Sequence, residues 1–317
     1  MWLLVKIIAA IAVYGVAIEP RFVNRDNQVA RIPNLPVQWE GKQIAAFADI
    51  HVGMWMANMD AARRVVRQVV TIHPAAVLIA GDFVYKADST VNMMPKLLAL
   101  LQPILDNHIP IYGVLGNHDY SLMFEGSEKE NLTAARIRGA LRRAGVRMMD
   151  NTSYGMAASA ADSADSSRLF IVGIGEKWGK NDHPEEALSK VPADAPRIVF
   201  MHDPDSFAHI PAGQAPVAVA AHTHGMQIGI PFFSDWWWRH RESKEGSGVA
   251  GWISHYGQPG NSLYITRGVG FSTLPVRIHA VPQLVVFTLL RAQDGRPTPG
   301  VTDDHITAPS RSDSPPW

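Results

Sequence analysis

Five short clusters hold side chains that could gather divalent cations: Asp49 and His51, Asp82 after Gly81, Asn117 and His118 within Gly116-Asn117-His118-Asp119, His202, and His222 with His224. Each follows a short apolar run, namely 44–48, 75–80, 111–115, 197–200 and 216–221. Side chains of extended backbone alternate with period two, so Asp49 and His51 are expected to face one side, as are His222 and His224. Singly, these clusters say little, because a histidine after a strand is commonly a hydrogen-bonded structural residue and a Gly-Asp pair is commonly a turn. Together, two acids, one amide and four imidazoles at strand ends supply the donors that two divalent ions with octahedral-like coordination need.

The elements that must position them alternate. Runs 44–48, 75–80 and 111–115 are separated by helix-like segments 58–72, 91–102 and 131–144, a pattern that predicts a largely parallel sheet covered by helices. Later apolar runs at 169–174, 197–200, 216–221, 262–266 and 283–290 have few helices between them, which predicts a second, more antiparallel sheet packed on the first. The predicted folded domain spans 42–291. Residues 19–41, with Pro20, Pro33 and Pro36 among polar residues, read as a surface linker. The Ala/Ser/Asp-rich stretch 153–167 reads as a flexible loop, and the polar, proline-rich 292–317 as a disordered tail.

Residues 1–18 are apolar apart from Lys6 and would form a helix of about 27 Å, close to the hydrocarbon thickness of a bilayer. A single membrane anchor is expected. The competing reading, a signal sequence, is disfavoured by a thin basic region and by no small-x-small site before Glu19. Arg21, Arg25 and Arg31 lean toward a cytoplasmic body, against Lys6 and the amino terminus. The 317 residues carry 29 Lys+Arg against 29 Asp+Glu, so no long-range field gathers nucleic acid, and no feature points to a protein partner. Cysteine is absent, which excludes thiolate nucleophiles and leaves imidazole and oxygen as metal ligands.

The ordered set Asp49-Ile50-His51, Gly81-Asp82, Gly116-Asn117-His118-Asp119, His202 and His222-Thr223-His224 resembles the calcineurin-like metallophosphoesterase family. The segment Tyr264 to Gly270, with Pro275-Val276-Arg277 and Pro282, is similar to its membrane-anchored bacterial branch. The resemblance implies an α/β fold, a four-layer α/β/β/α sandwich behind an N-terminal membrane helix, on a single-span protein of the bacterial inner membrane. It further implies that Asp49, His51, Asp82 and His224 hold one ion, and Asp82, Asn117, His202 and His222 the other. His118 would stabilise the transition state and act as general acid. Mn(II) is the expected metal, with Fe or Zn as alternatives. Tyr85 stands where related protein phosphatases place an aspartate, which weakens a protein-phosphatase reading, and Ala221 and Met226 replace glycines usual in the branch.

The branch includes phosphodiesterases and UDP-2,3-diacylglucosamine hydrolases of lipid A biosynthesis. The expected reaction is therefore hydrolysis of a phosphodiester or pyrophosphate bond in a membrane-proximal, lipid-linked substrate. The alternatives are a broad phosphodiesterase of soluble nucleotides and a membrane-tethered scaffold with a vestigial site. Trp236-Trp237-Trp238-Arg239 has an interfacial composition, and three consecutive tryptophans cannot all face one core, so at least one is expected to be exposed. Either a lipid-contacting lip or an ordinary aromatic loop fits that stretch. His73, His108 and His279 read as structural or surface residues.

Overall fold

The computed structural model describes residues 1–86, 90–159 and 167–292. Among the described residues, twelve strands form two six-stranded sheets. The first runs, in spatial order, β1 (Asn24–Ile32), β12 (Gln283–Arg291), β2 (Gln43–Phe47), β3 (Ala76–Ala80), β4 (Ile111–Val114) and β5 (Arg147–Met148). The second runs β10 (Gly251–Ile253), β11 (Leu263–Ile265), β9 (Ala218–Ala220), β8 (Arg197–Phe200), β7 (Leu169–Gly173) and β6 (Thr152–Met156).

Strand alternation sorts the apolar side chains into layers. On β12, Val285, Phe287 and Leu289 face the second sheet and pack with Ile171, Phe200, Val219 and Tyr264. Leu284 and Val286 face the other way, toward helices α2 (Met59–Ile72), α3 (Thr90–Asp106) and α4 (Asn131–Ala144). Those helices present Val65 and Val69, Leu97 and Leu101, and Ile137 and Leu141, each pair four residues apart on one helical face. The outer face of the second sheet, with Val172, Val199 and Ile265, is covered by Ala187 of α5 (Pro184–Leu188) and by Phe207 of the 3-10 turn Pro204–His209. The order is helix, sheet, sheet, helix, as expected.

Four expectations change. The run 283–290, expected in the second sheet, is β12 of the first, where it lies parallel to β1 and antiparallel to β2. The second sheet is parallel at its centre, from β11 through β9 and β8 to β7, and antiparallel only where β10 and β6 join its edges. The connections there, 174–196, 201–217 and 221–262, carry five-residue helices and 3-10 or π-helical turns in place of long crossover helices. The segment expected as a linker contains β1, paired with β12 over nine residues. It reads as polar because its polar side chains meet polar tips of buried residues: Asp26 accepts from Tyr264 and Gln283, and Gln28 accepts from Trp252. Residues 153–156 belong to β6, paired with β7, rather than to a loop. Within the rest of that expected loop, residues 160–166 lie outside the described residues, as does the expected tail from 293 onward.

Helix α1 (Trp2–Val13) and the π-helical turn Tyr14–Ile18 precede this body. Within Trp2–Arg21 lies the one helical stretch, among the described residues, long and apolar enough to cross a membrane. Its root is packed. Gly15 lies against Ile278 and Val276 so closely that a Cβ would collide, and its carbonyl accepts from Arg277 N at 2.9 Å.

Candidate metal centre

All five clusters lie just past the carboxyl ends of β2, β3, β4, β8 and β9. Backbone geometry beyond the strands aims the side chains. Asp49, His51, Asp82, His222 and His224 have φ of 54°, 50°, 55°, 69° and 53°. The period-two expectation therefore reached the right convergence by the wrong route, because β2 stops at Phe47 and β9 at Ala220, and left-handed turns, not a pleat, bring the pairs together. Such φ values cost on the order of 1–3 kcal/mol each for non-glycine residues and concentrate at functional sites. Asp49 N to Gly81 O and His51 N to Asp82 O, at 3.1 and 3.0 Å, hold two of the turns.

Ligand atoms of Asp49, His51, Asp82 and His224 lie within 4.8 Å of one another. His51 Nδ1 is 2.5 Å from Phe271 O, so its proton sits on that nitrogen and Nε2 is left to face Asp82 Oδ2 at 2.8 Å. His224 Nε2 is 3.8 Å from Asp49 Oδ1. Both oxygens of Asp49 are buried without a hydrogen-bond partner, and burial pushes its carboxyl up to about 6. An orphaned buried carboxylate ringed by imidazoles is what a cation would satisfy.

A second group adjoins the first. Asn117 Nδ2 donates to Leu122 O at 2.7 Å, which turns Oδ1 toward His202 Nε2 at 2.9 Å and His222 Nδ1 at 3.0 Å. His202 Nδ1 is 2.8 Å from Ala80 O, and its Nε2 is 3.2 Å from Asp82 Oδ2. Asp82 thus faces both groups. Burial opposes its ionisation, but His202, His118 and His51 hold its carboxyl well below the usual range. Burial also works against the His202 cation, and the Asp82 carboxylate overrides it, raising that imidazole to about 10. Burial lowers His222 to about 3 and lowers His224 as well, so both are neutral, the form that binds metal. All seven expected ligands are brought together, and the imidazole, carboxylate and amide set suits a transition-metal pair.

His118 stands beside them at the edge of a cleft of about 700 Å³ that is also lined by Lys177, Trp178, His222, Trp238 and Arg241. Its Nδ1 meets Tyr85 O, and burial lowers its imidazole to about 4. Asp119 ties the loop down by accepting from the backbone N–H groups of Phe83, Val84 and Gly116.

Sequence reasoning missed three contributors. Glu176 is buried, accepts from Trp178 N and Gly179 N, and shapes the loop that sets Trp178 edge-on to His222 at 4.8 Å. The signal was there, since Gly175-Glu176 follows the apolar run 169–174 just as Gly81-Asp82 follows its own. Gly268, at φ 64°, passes so close to Asp49 that any Cβ would strike its carboxylate. Arg277, fully buried, donates to the carbonyls of Gly270, Arg267 and Ala280, with Nη2 3.4 Å from His224 Nδ1.

The sequence profile of calcineurin-like phosphoesterases matches residues 42–226, more than half of the chain. The chain belongs to this family. As a calcineurin-like phosphoesterase it is a phosphoester hydrolase, and members of the family generally bind two divalent metal ions. It is similar to the metallophosphoesterase YkuE of Bacillus subtilis, 24% identical over 87% of this chain and 89% of that one. The UDP-2,3-diacylglucosamine pyrophosphatase LpxG of Chlamydia trachomatis is 23% identical over 80% of this chain and 85% of its own. The phosphodiesterase YaeI of Escherichia coli is 28% identical over 68% and 71%.

Proposed function

We propose that this calcineurin-like phosphoesterase hydrolyses a phosphodiester or pyrophosphate bond in a lipid-linked substrate at a membrane, with Mn(II) as its metal and a UDP-2,3-diacylglucosamine-like molecule as substrate. The observation that carries the reading is the place of Asp82 Oδ2, 2.8 Å from His51 Nε2 and 3.2 Å from His202 Nε2, on the edge common to both donor groups. In this reading Asp49, His51, Asp82 and His224 hold one ion, and Asp82, Asn117, His202 and His222 the other. Bound there, two divalent ions supply Lewis-acid charge for phosphoryl oxygens and lower the pKa of a water.

The chain's own residues do the rest. The Tyr85 carbonyl fixes the proton of His118 on Nδ1 and leaves Nε2 for the cleft. An anionic phosphate beside that ring offsets the burial that keeps it neutral, so His118 gains a second proton as substrate binds and donates it to the leaving oxygen. Lys177 and Arg241 on the cleft wall offer cationic contacts for a second phosphate.

The lipid-linked part of the reading is supported by the helical stretch Trp2–Arg21, which begins with α1 and is long and apolar enough to cross a membrane, and by the named activity of LpxG, a relative that matches most of this chain. With α1 as anchor, Arg21, Arg25 and Arg31 favour a body on the cytoplasmic face. The phosphodiesterase name of YaeI favours a second reading, a broad phosphodiesterase of soluble nucleotides. Turnover by the detergent-purified full chain with Mn(II), comparing UDP-2,3-diacylglucosamine, a UDP-sugar without acyl chains and bis-p-nitrophenyl phosphate, separates them. Chelator-sensitive preference for the acylated substrate supports the proposal. Equal turnover with and without acyl chains moves the assignment to the soluble-nucleotide reading.

A further inference from the structure

We infer that the two segments rimming the cleft, 226–236 and 272–276, form a lip that docks on the anionic lipid bilayer, at a depth fixed by the packed root of α1. This rests on the reading of α1 as an anchor.

The rim is apolar where it faces water. Ile228, Ile230, Phe232, Phe233, Trp236 and Leu274 are each between 45% and 95% exposed. Scattered exposed apolar residues are ordinary, but contiguous ones mark an interaction surface. These are contiguous. Gln227 Nε2 donates to Leu274 O at 3.0 Å, joining the two segments, and the Ile230 N–H is held by Ser234 Oγ at 2.8 Å. Phe232, the most exposed at 95%, has φ of 64°, a region that a bulky side chain rarely occupies. That turn holds its ring out in solvent. A strained turn that exposes phenylalanine has no stabilising purpose within the folded chain, and an apolar phase outside it supplies one.

The same rim is built onto the helix root. Gly229 N donates to Ile278 O at 2.7 Å and Ile278 N to Gln227 O at 2.7 Å, and Gly15 packs against Ile278 and Val276. The buried Glu19 carboxylate accepts from His279 N at 2.9 Å and Ala280 N at 2.6 Å. The lip and the helix root are therefore both tied by hydrogen bonds and packing to the one strip 276–280. A helix that crosses the bilayer places this lip at the level of the headgroups. Arg239 is paired with Asp235 Oδ2 at 2.7 Å, and His240 and Arg241 follow on the turn Trp238–Glu242, where the Arg241 guanidinium suits an anionic headgroup.

Of the three consecutive tryptophans, Trp236 alone is on the lip. Trp237 donates to Glu242, and Trp238 donates to Ser247 and sits 6.2 Å from the His222 ring. The consequence is functional. A phosphoester whose apolar tail stays in the bilayer reaches the donor cluster along Leu274 and Ile228, both on the cleft wall, without leaving the lipid phase.

The chain has no cysteine, so single-cysteine variants of the full chain can each carry one environment-sensitive NBD probe. Phe232→Cys and Leu274→Cys report on the lip, Ala10→Cys on the anchor, and Val37→Cys, exposed beyond the far end of β1, serves as the aqueous control. In phosphatidylethanolamine–phosphatidylglycerol vesicles, the lip probes are expected to be several-fold brighter than the Val37 probe and strongly quenched by lipid carrying a shallow doxyl group. Lip probes as dim and as unquenched as Val37, with Ala10 quenched by deep doxyl lipid, overturn the lip and leave the anchor standing. Bright lip probes that doxyl lipid does not quench also overturn it, because the rim then contacts protein, such as a second copy. No quenching at Ala10 removes the anchor reading and the lip with it.

Discussion

Nδ1 of His118 lies 2.7 Å from the carbonyl oxygen of Tyr85, and the two rings stack with centroids 5.0 Å apart and planes at 24°. A backbone carbonyl orients the imidazole as a carboxylate would, but brings no full negative charge. The orienting atom is backbone, so Tyr85→Phe should leave turnover within about twofold of the parent. Tyr85→Asp should differ, because a carboxylate beside the ring favours the protonated imidazole and should move the alkaline limb of the kcat–pH profile upward by about one unit. An unmoved limb would mean that His118 is not the group titrating there.

Asp82 and His118 should separate metal binding from chemistry. Asp82→Ala is expected to lose bound metal and turnover together. His118→Ala should keep both ions, measured by mass spectrometry of the dialysed protein, while kcat falls by about 10²–10⁴. Equal metal loss in the two variants contradicts the role given to His118.

Arg277 acts at one remove from the donors. Its guanidinium pairs with the carbonyls of the loop that carries Gly268 and Gly270 against Asp49, and burial pulls its pKa down to about 10. Arg277→Met strands three buried carbonyls, so denaturant melts should show a loss of about 3 kcal/mol or more. Chelator competition should show about 10–100-fold weaker metal binding, as for other residues that support ligands from behind. Weaker melts with unchanged metal affinity would make Arg277 purely structural.

Glu176 predicts a pH dependence of stability. Burial raises its carboxyl from 4.5 to about 7. Between those values the unfolded chain has released the proton and the folded chain has kept it, so this contribution is full below 4.5 and is lost as pH rises through 7. Glu176→Gln should therefore gain on the parent, by up to about 3 kcal/mol, as metal-free melts move from pH 4.5 to pH 8. A gap between the two proteins that does not change with pH would refute the buried, protonated state.

How far the sequence could be read follows from what each residue answers to. Asp49, His51, Asp82, Asn117, His202, His222 and His224 were legible because each sits within three residues of an apolar run, and chain order alone places them on strand ends. The left-handed turns that aim Asp49 and His51 were not, because non-glycine residues give no local sign of positive φ. Strand β1 was hidden because Asp26 and Gln28 look like solvent residues until Tyr264 and Trp252, more than two hundred positions away, supply their partners. Arg277 stood in the motif of the membrane-anchored branch, but its role was hidden, since its partners are carbonyls, which carry no residue identity. The edge placement of the antiparallel strands is set by their pairing partners, β7 for β6 and β11 for β10, which the apolar runs themselves do not identify.

Metal stoichiometry against turnover tests the central claim most directly. The full chain, stripped with chelator and titrated with Mn(II), should be inactive at the start, gain phosphodiesterase turnover as metal is added, and level off at two ions per chain. Turnover that survives stripping, or that levels off at one ion per chain, would contradict a phosphoester hydrolase built on two donor groups sharing Asp82.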